Sequence, residues 1–420
     1  MNEKLLHYIW QYQLYDQSSL YTTDQDDLII YARGEYNTNQ GPDFLNARIK
    51  SGNTLWVGNI ELHVKSSDWI KHKHSDDVKY QNVILHVVWI HDQEINEDFP
   101  TIELQHRVPK LLLKRYESLL QQPKFIPCEN MIHSASSMAI EKWIDHMLIE
   151  RLELKSVFIQ SLLKENHYHW DEVAWWLLFK NFGMKVNGEA FLQIAKSIPY
   201  IIFLRHRKSL FQLEALLLGQ SGLLNSVLND DYAVRIQKEY LFLKKKYSLI
   251  QPKVSLDVLR MRPANFPDIR LAHLAALLNK THISVSLILQ MNTHGDIKNL
   301  LECELSSYWH DHYQLDIPGK RKSKKSGVGL LQHTIINTIV PVMYSYGYIN
   351  KEVSHQKKAI EWLENMKPEK NKISSGFEKL NIALLSAFDT QAMIHLKNEY
   401  CNKMRCLECG WGNAILSKTQ

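Results

Sequence analysis

Along the first sixteen residues the apolar side chains Leu5, Ile9 and Leu14 recur at helical spacing, with Trp10 beside them, and predict a helix. The period then shortens. Residues 28–32 and 44–49 are short apolar runs, Ser51-Gly52-Asn53 is a turn signal, and 55–64 alternates as a long strand does. A short helix is expected over 75–81, a buried strand rich in β-branched residues over 83–90, and an edge strand over 99–104. The order helix, three strands, short helix, strand predicts an α/β (or α+β) domain. From Pro109 onward helical patterns follow one another, at 109–121, 137–164, 170–182, 187–196, 209–219, 232–247, 268–279, 328–346 and 387–404. Residues 173–179 are apolar all round, as in a helix buried inside a helical domain. The predicted organisation is an N-terminal domain over 1–108, a helical domain over 109–385, and a C-terminal helix with a cysteine cluster over 386–420. The Gly- and Lys-rich stretch 319–329 is expected to be a flexible loop.

Composition narrows this little: 420 residues, 45% hydrophobic and 23% charged, describe an ordinary globular protein of two or three domains and exclude a wholly disordered chain. No stretch is apolar enough to span a bilayer, and Met1-Asn2-Glu3-Lys4 runs into a polar-studded helix, so a cytoplasmic location is expected. Charge is more informative. Residues 1–108 hold 9 Lys and Arg against 16 Asp and Glu, a net of −7, while the remainder holds 41 against 29, a net of +12. An acidic part beside a basic part is consistent with a cation site joined to a polyanion-holding surface.

The candidate chemistry lies in Gly41-Pro42-Asp43-Phe44 and, eighteen residues after Asp43, in Glu61-Leu62-His63-Val64-Lys65. On a strand, Glu61, His63 and Lys65 project to one face. A carboxylate at the start of a neighbouring strand can join Glu61 in holding a hard divalent cation, which wants oxygen ligands. His63 or Lys65 is then the base beside it. These residues and this order of elements resemble the PD-(D/E)xK nuclease superfamily. The resemblance implies that Asp43 and Glu61 are metal ligands for Mg²⁺, or Mn²⁺, and that the substrate is a DNA or RNA phosphodiester. Glu35 and Gln40 are weaker candidates for the same pocket. The sequence departs from the family in carrying His63 where Lys is usual, with Lys65 two residues further on; alternatively, the acid slot is lost and His63-x-Lys65 is a remnant. Asp68-Trp69-Ile70-Lys71-His72-Lys73-His74 resembles the very-short-patch-repair type of endonuclease, in which histidines after the metal-binding strand assist hydrolysis; the plainer reading is a solvated His-rich turn.

The whole chain is also similar to an uncharacterised bacterial family known only as a domain of unknown function. That likeness is carried by Gly41-Pro42-Asp43-Phe44, by Glu61-Leu62-His63-Val64 with Ser66-Ser67-Asp68-Trp69, by Arg262-Pro263-Ala264-Asn265-Phe266-Pro267, and by Tyr400-Cys401 and Cys406-Leu407-Glu408-Cys409.

Cys401, Cys406 and Cys409 form a C-x4-C-x2-C cluster, and Gly410 and Gly412 ease a tight turn beside it. A fourth ligand must come from Cys128, Cys303 or His395, Cys128 being preferred. Structural zinc, alternatively an iron–sulfur cluster, is the expected occupant, set against three unmetallated reduced thiols. Some PD-(D/E)xK nucleases close their fold with such a cluster, using one distant and three grouped cysteines. Arg321, Lys322, Lys324 and Lys325, together with Arg260 and Arg262, suit contacts to nucleic-acid phosphates. A solvated loop and, for the Arg260–Arg270 stretch, helix bracing through carboxylates such as Asp268 are the plainer alternatives. Gly219-Gln220-Ser221-Gly222 reads as a helix end, since it lacks the Gly-Lys-Ser/Thr of a phosphate loop. The expected function is metal-dependent nucleic-acid hydrolysis. The rival is an inactive nuclease fold that binds nucleic acid or acts as a scaffold.

Overall fold

The computed structural model describes residues 1–37, 40–120, 125–134, 136–322 and 324–417. The chain divides into two compact units, one of residues 1–145 with 395–420 and one of 146–394. The strand-rich pattern ends close to residue 108, as its periodicity implies, but the unit carrying it continues to 145 and takes in the cysteine-bearing C-terminal segment.

In the first unit, helix α1 (Glu3–Gln11) is capped by Asn2, whose side chain accepts the Leu5 N–H at 2.9 Å, and it buries Leu5, Leu6, Ile9 and Trp10. Six strands follow: β1 (Leu28–Ala32), β2 (Glu35–Tyr36), β3 (Phe44–Ser51), β4 (Thr54–Lys65), β5 (Val83–Ile90) and β6 (Thr101–Glu103). They form one mixed, curled sheet in the order β1-β3-β4-β5-β6, with β2 also pairing with β3. The β1–β3, β2–β3 and β3–β4 pairs are antiparallel, whereas β4–β5 and β5–β6 are parallel. The β3–β4 turn is made by Gly52 and Asn53, with Gly52 at φ +55°, where a side chain would be strained.

Strand β4 lies in the middle of this sheet and is covered on both faces, so Ile60, Glu61, Leu62 and His63 are all buried. Ile60, Leu62, Leu85, Val87 and Val88 are at most 1% exposed, and each such side chain contributes about 1.5–3 kcal/mol of apolar burial. Because β4 and β5 are parallel, the chain must cross back between them. It does so through helix α2 (Asp68–Lys71) and two 3₁₀ turns, His74–Asp76 and Val78–Tyr80, in place of one helix over 75–81. Lys73, at φ +58°, separates α2 from the first of these turns.

The second unit is helical apart from a two-stranded ribbon, His312–Gln314 with Ile317–Pro318. Trp170–Phe182 is buried through 173–179, as its all-round apolar pattern predicts. Leu210–Gln220 ends just before Ser221-Gly222, which is a helix terminus and not a phosphate loop. The predicted helix 328–346 is interrupted: Val328–Thr334 and Val340–Ile349 are joined by a π turn, Ile335–Ile339. Pro341 has no N–H to give the Asn337 carbonyl one turn back. That carbonyl is met instead by the Asn181 side-chain amide at 2.9 Å, which also donates to Thr338 Oγ1 at 2.9 Å. Among the described residues no helix is long and apolar enough to cross a membrane.

Candidate carboxylate and histidine site

The β3–β4 register pairs Phe44 with Ile60, which brings Asp43, immediately before β3, beside Glu61 on β4. The two segments exchange hydrogen bonds: the Asp43 N–H donates to Glu61 Oε2 at 3.0 Å, and the Leu62 N–H donates to Asp43 Oδ2 at 3.0 Å. Asn37 holds the approach to Asp43, donating its N–H to the Asp43 carbonyl at 2.8 Å and its side-chain amide to the Pro42 carbonyl at 2.9 Å. His7, from α1, places Nε2 3.2 Å from Asp43 Oδ2.

Histidines enclose the other side of Glu61. Its Oε1 lies 3.7 Å from His63 Nε2 and 3.5 Å from His74 Nε2. His63 Nε2 is 3.0 Å from His72 Nδ1, and His63 Nδ1 is 2.9 Å from Nε2 of His86 on β5. The turn bearing His72 and His74 is exposed along most of its length but pinned at defined points. Trp69, 1% exposed, anchors it from within and donates to Ser75 Oγ and Glu97 Oε1, each at 3.0 Å. The Asp68 carboxylate accepts the Lys65 N–H at 3.1 Å, Asp92 accepts the Ser67 N–H at 3.0 Å, and Tyr80 stacks on His74 at 3.8 Å.

This surrounding sets the electrostatics. Burial, and after it the charge of Asp43, raises the Glu61 carboxyl well above its usual range. Burial, reinforced by neighbouring imidazoles, pushes His63 down to about 2 and His86 to about 3. His74 is lowered in the same direction, first by burial and then by His72. Near neutrality His63, His74 and His86 therefore keep a ring lone pair, and the raised Glu61 carboxyl holds its proton for want of a nearby positive charge. Such an arrangement favours a cation.

Of the residues named from sequence, the structure brings Asp43, Glu61 and His63 together. Lys65 sits at the end of β4 with its side chain 52% exposed and its ammonium 3.8 Å from Asp92 Oδ2. Glu35 is exposed on β2, and Gln40 accepts a hydrogen bond from Lys79 at 2.8 Å. His7 and His86 are additions. His86 had a signal, being the one polar residue in Val83–Ile90, whereas His7 had none.

Cys128, Cys401, Cys406 and Cys409 line one small cavity and are 7–8% exposed. Burial first, and their mutual proximity after it, raises the thiols of Cys128 and Cys401. Burial raises Cys409 as well, with N–H groups of Gly412, Trp411 and the Trp143 side chain opposing part of the rise. Gly412 is required here, since a Cβ would lie 1.9 Å from the Cys406 carbonyl oxygen. Cys303 lies in the helical unit, its sulfur 3.2 Å from Ser326 Oγ. His395 packs edge-on against Tyr400, with ring centroids 6.4 Å apart.

The basic residues separate into two kinds. Arg260, Arg262, Arg321, Lys322 and Lys325 are exposed, Lys325 lying 3.8 Å from Glu304. Lys324 is 7% exposed and turned inward, with its ammonium on the carbonyls of Trp309 and His310. The expectation of a flexible loop over 319–329 is corrected on this point: hydrogen bonds from Lys322 to His310 and from Ser326 to Cys303 pin it, while Ser323 lies outside the described residues. Arg270, 5% exposed, bonds Asn265, and buried Asp268 accepts the Leu315 N–H at 2.8 Å, so both brace the helical unit.

Together these features define a two-unit protein: a mixed α/β unit with a carboxylate–histidine site at the centre of a curled sheet, and a mostly helical unit. Residues 3–372 match the family model described as protein of unknown function (DUF2851), and the chain belongs to that family. The match includes every residue of the carboxylate–histidine site and Cys128, and it ends before the three C-terminal cysteines. No curated protein and no solved structure matches the chain.

Proposed function

We propose that the first unit is a PD-(D/E)xK-type, metal-dependent nuclease that hydrolyses phosphodiester bonds of DNA or RNA. The observation carrying this reading is the convergence of Asp43 and Glu61 at the β3–β4 pair, each accepting a backbone N–H from the other's segment. Asp43 and Glu61 would hold the divalent cation, Mg²⁺ or Mn²⁺ on the family resemblance. When bound, it supplies positive charge against the charge developing on the phosphoryl oxygens. His63, neutral and held between His86 and His72, would orient the attacking water, since burial lowers its basicity too far for it to take the proton near neutrality. Lys65 remains a rim cation. Arg260, Arg262, Arg321, Lys322 and Lys325 are proposed phosphate contacts.

A second reading has its own observation. Lys65 pairs with Asp92 and no Lys follows Glu61 at the family's spacing, which favours an inactive fold that binds nucleic acid or acts as a scaffold. The test is incubation with single- and double-stranded DNA and RNA in Mg²⁺ or Mn²⁺ against an EDTA control. Cleavage that disappears in Asp43→Ala and Glu61→Ala, with circular dichroism unchanged, supports the nuclease. Binding without cleavage supports the second reading, and cleavage unaffected in both variants sinks the catalytic assignment.

The four-cysteine cavity is proposed to hold a structural metal, zinc or alternatively an iron–sulfur cluster, with Cys128 as fourth ligand. What supports it is that all four buried cysteines line one cavity, and that N–H groups at Cys409 oppose part of the rise that burial imposes on its thiol. Metal analysis of purified protein decides it, with one zinc or an iron chromophore expected and lost in Cys406→Ser. Metal-free folded protein with all thiols titratable refutes it.

A further inference from the structure

We propose that His63, His72 and His74, with Glu61, form a site for a first-row transition ion, zinc or iron(II) most tightly and manganese less so, and not for magnesium. Among the described residues these three histidines each bring one ring nitrogen within 4.8 Å of the others. Two ligand atoms held about 2.0–2.1 Å from one ion, at angles between square and tetrahedral, lie roughly 2.9–3.4 Å apart. His63 Nε2 and His72 Nδ1 are 3.0 Å apart, inside that span. Glu61 Oε1 is 3.5 Å from His74 Nε2 and 3.7 Å from His63 Nε2, close enough to add one oxygen to the three nitrogens. His74 Nε2 is buried and makes no hydrogen bond, and it faces that oxygen. The other oxygen of Glu61 is already occupied by the Asp43 N–H, which fixes which oxygen is free to ligate.

Imidazole donors select zinc, iron, copper and nickel, whereas magnesium demands near-octahedral oxygen and sheds water reluctantly. The surroundings are those of a ligand shell held in place. His63 Nδ1 is 2.9 Å from His86 Nε2, and with its proton on Nδ1 in that contact His63 offers the Nε2 lone pair to an ion. Trp69 packs edge-on to both His63 and His74, at 6.4 and 5.2 Å, and Tyr80 stacks on His74. Entry from solvent is available, because His72 is exposed and a cavity of about 270 Å³ lined by Trp56, Trp69, His74, Tyr80 and Phe99 opens beside it.

The inference concerns the same site as the nuclease reading and rests on it only for the consequence, since the readout is binding and not cleavage. Full-length protein, stripped of labile metal, is titrated calorimetrically with Mn²⁺, Zn²⁺ and Mg²⁺, alongside His72→Ala and the double variant His72→Ala/His74→Ala. The wild type should take up one more equivalent of Mn²⁺ or Zn²⁺ than the double variant, which keeps any metal of the cysteine cavity. His72→Ala should weaken that uptake at least tenfold, and Mg²⁺ should compete at least tenfold less well. As a measurement needing no variant, Mn²⁺ should broaden the imidazole C–H resonances of His63, His72 and His74 before those of other histidines. Equal stoichiometry and affinity in wild type and variants, broadening elsewhere, or Mg²⁺ binding as tightly as Mn²⁺ overturns the proposal. Ion binding without cleavage sustains it and sinks the nuclease reading, while Mg²⁺-driven cleavage with no such binding does the reverse.

Discussion

Replacing Glu61 by Gln should make the metal-free protein more stable, and increasingly so as pH rises above neutrality. Glu61 is 5% exposed, and burial together with Asp43 raises its carboxyl above the value of 4.5 that it takes when solvated. Between those two values the folded chain binds a proton that the unfolded chain does not, so the stabilisation present below the lower value is lost as pH climbs towards the higher one. Each pH unit in that window removes up to about 1.4 kcal/mol. Gln keeps the shape, still accepts the Asp43 N–H, and does not titrate. His63 and His86 act with the opposite sign: their folded values are lowered from 6.5, so they cost stability only as pH falls below that. A comparison confined to about pH 7–8.5 therefore isolates Glu61, and across it the variant should gain up to about 2 kcal/mol on the wild type. Urea unfolding in EDTA, followed by far-ultraviolet circular dichroism at four pH values, measures this directly. Saturating Mn²⁺ should reverse the ranking, since an ion at one hundred times its Kd stabilises the wild type by about 2.7 kcal/mol. Parallel pH profiles for the two proteins would refute the argument that Glu61 is held protonated for want of a cation.

Three further outcomes follow from other parts of the molecule. Asn181→Ala should cost about 1–3 kcal/mol, because the Asn337 carbonyl that Pro341 cannot bond loses the Asn181 amide; calorimetry reads it, and an unchanged Tm sinks that account of the π turn. Lys322→Ala should lower the salt slope of nucleic-acid binding by about 1 if Lys322 contacts a phosphate. Lys324→Ala should leave that slope alone and lower Tm, since its ammonium serves backbone carbonyls; a slope change in Lys324→Ala with Tm intact would contradict its inward placement.

What the sequence made legible is what rests on period and spacing. Alternation in 55–64 marks β4, the apolar run 83–90 marks β5, and the Gly52-Asn53 turn joins β3 to β4 in the register that sets Asp43 beside Glu61. Period 2 also groups Lys65 with Glu61 and His63. Lys65 is the last residue of the strand, with its side chain half exposed and its ammonium 3.8 Å from Asp92, a partner that the period does not reveal. The 319–329 stretch looks mobile by composition, but its bonds go to Cys303, Trp309 and His310, partners that no local pattern reveals. Periodicity carries 328–346 through as one helix, whereas the chain passes through a π turn before Pro341, where the Asn337 carbonyl is met by Asn181, more than 150 residues away.

The histidines show why the site is more than its motif. A parallel β4–β5 pair obliges the chain to cross over, and a crossover as short as residues 66–82 stays close to the edge of the carboxylate pocket. Trp69, buried under that turn, directs His72 and His74 back towards Glu61, while the β4–β5 register places His86 directly beside Glu61 on the neighbouring strand. The same topology that buries Glu61, and so raises its need for a positive charge, thereby supplies three nitrogens to hold that charge. A hard oxygen-only ion would leave those nitrogens unused in a space where His74 Nε2 has no hydrogen bond. A transition ion would satisfy them all.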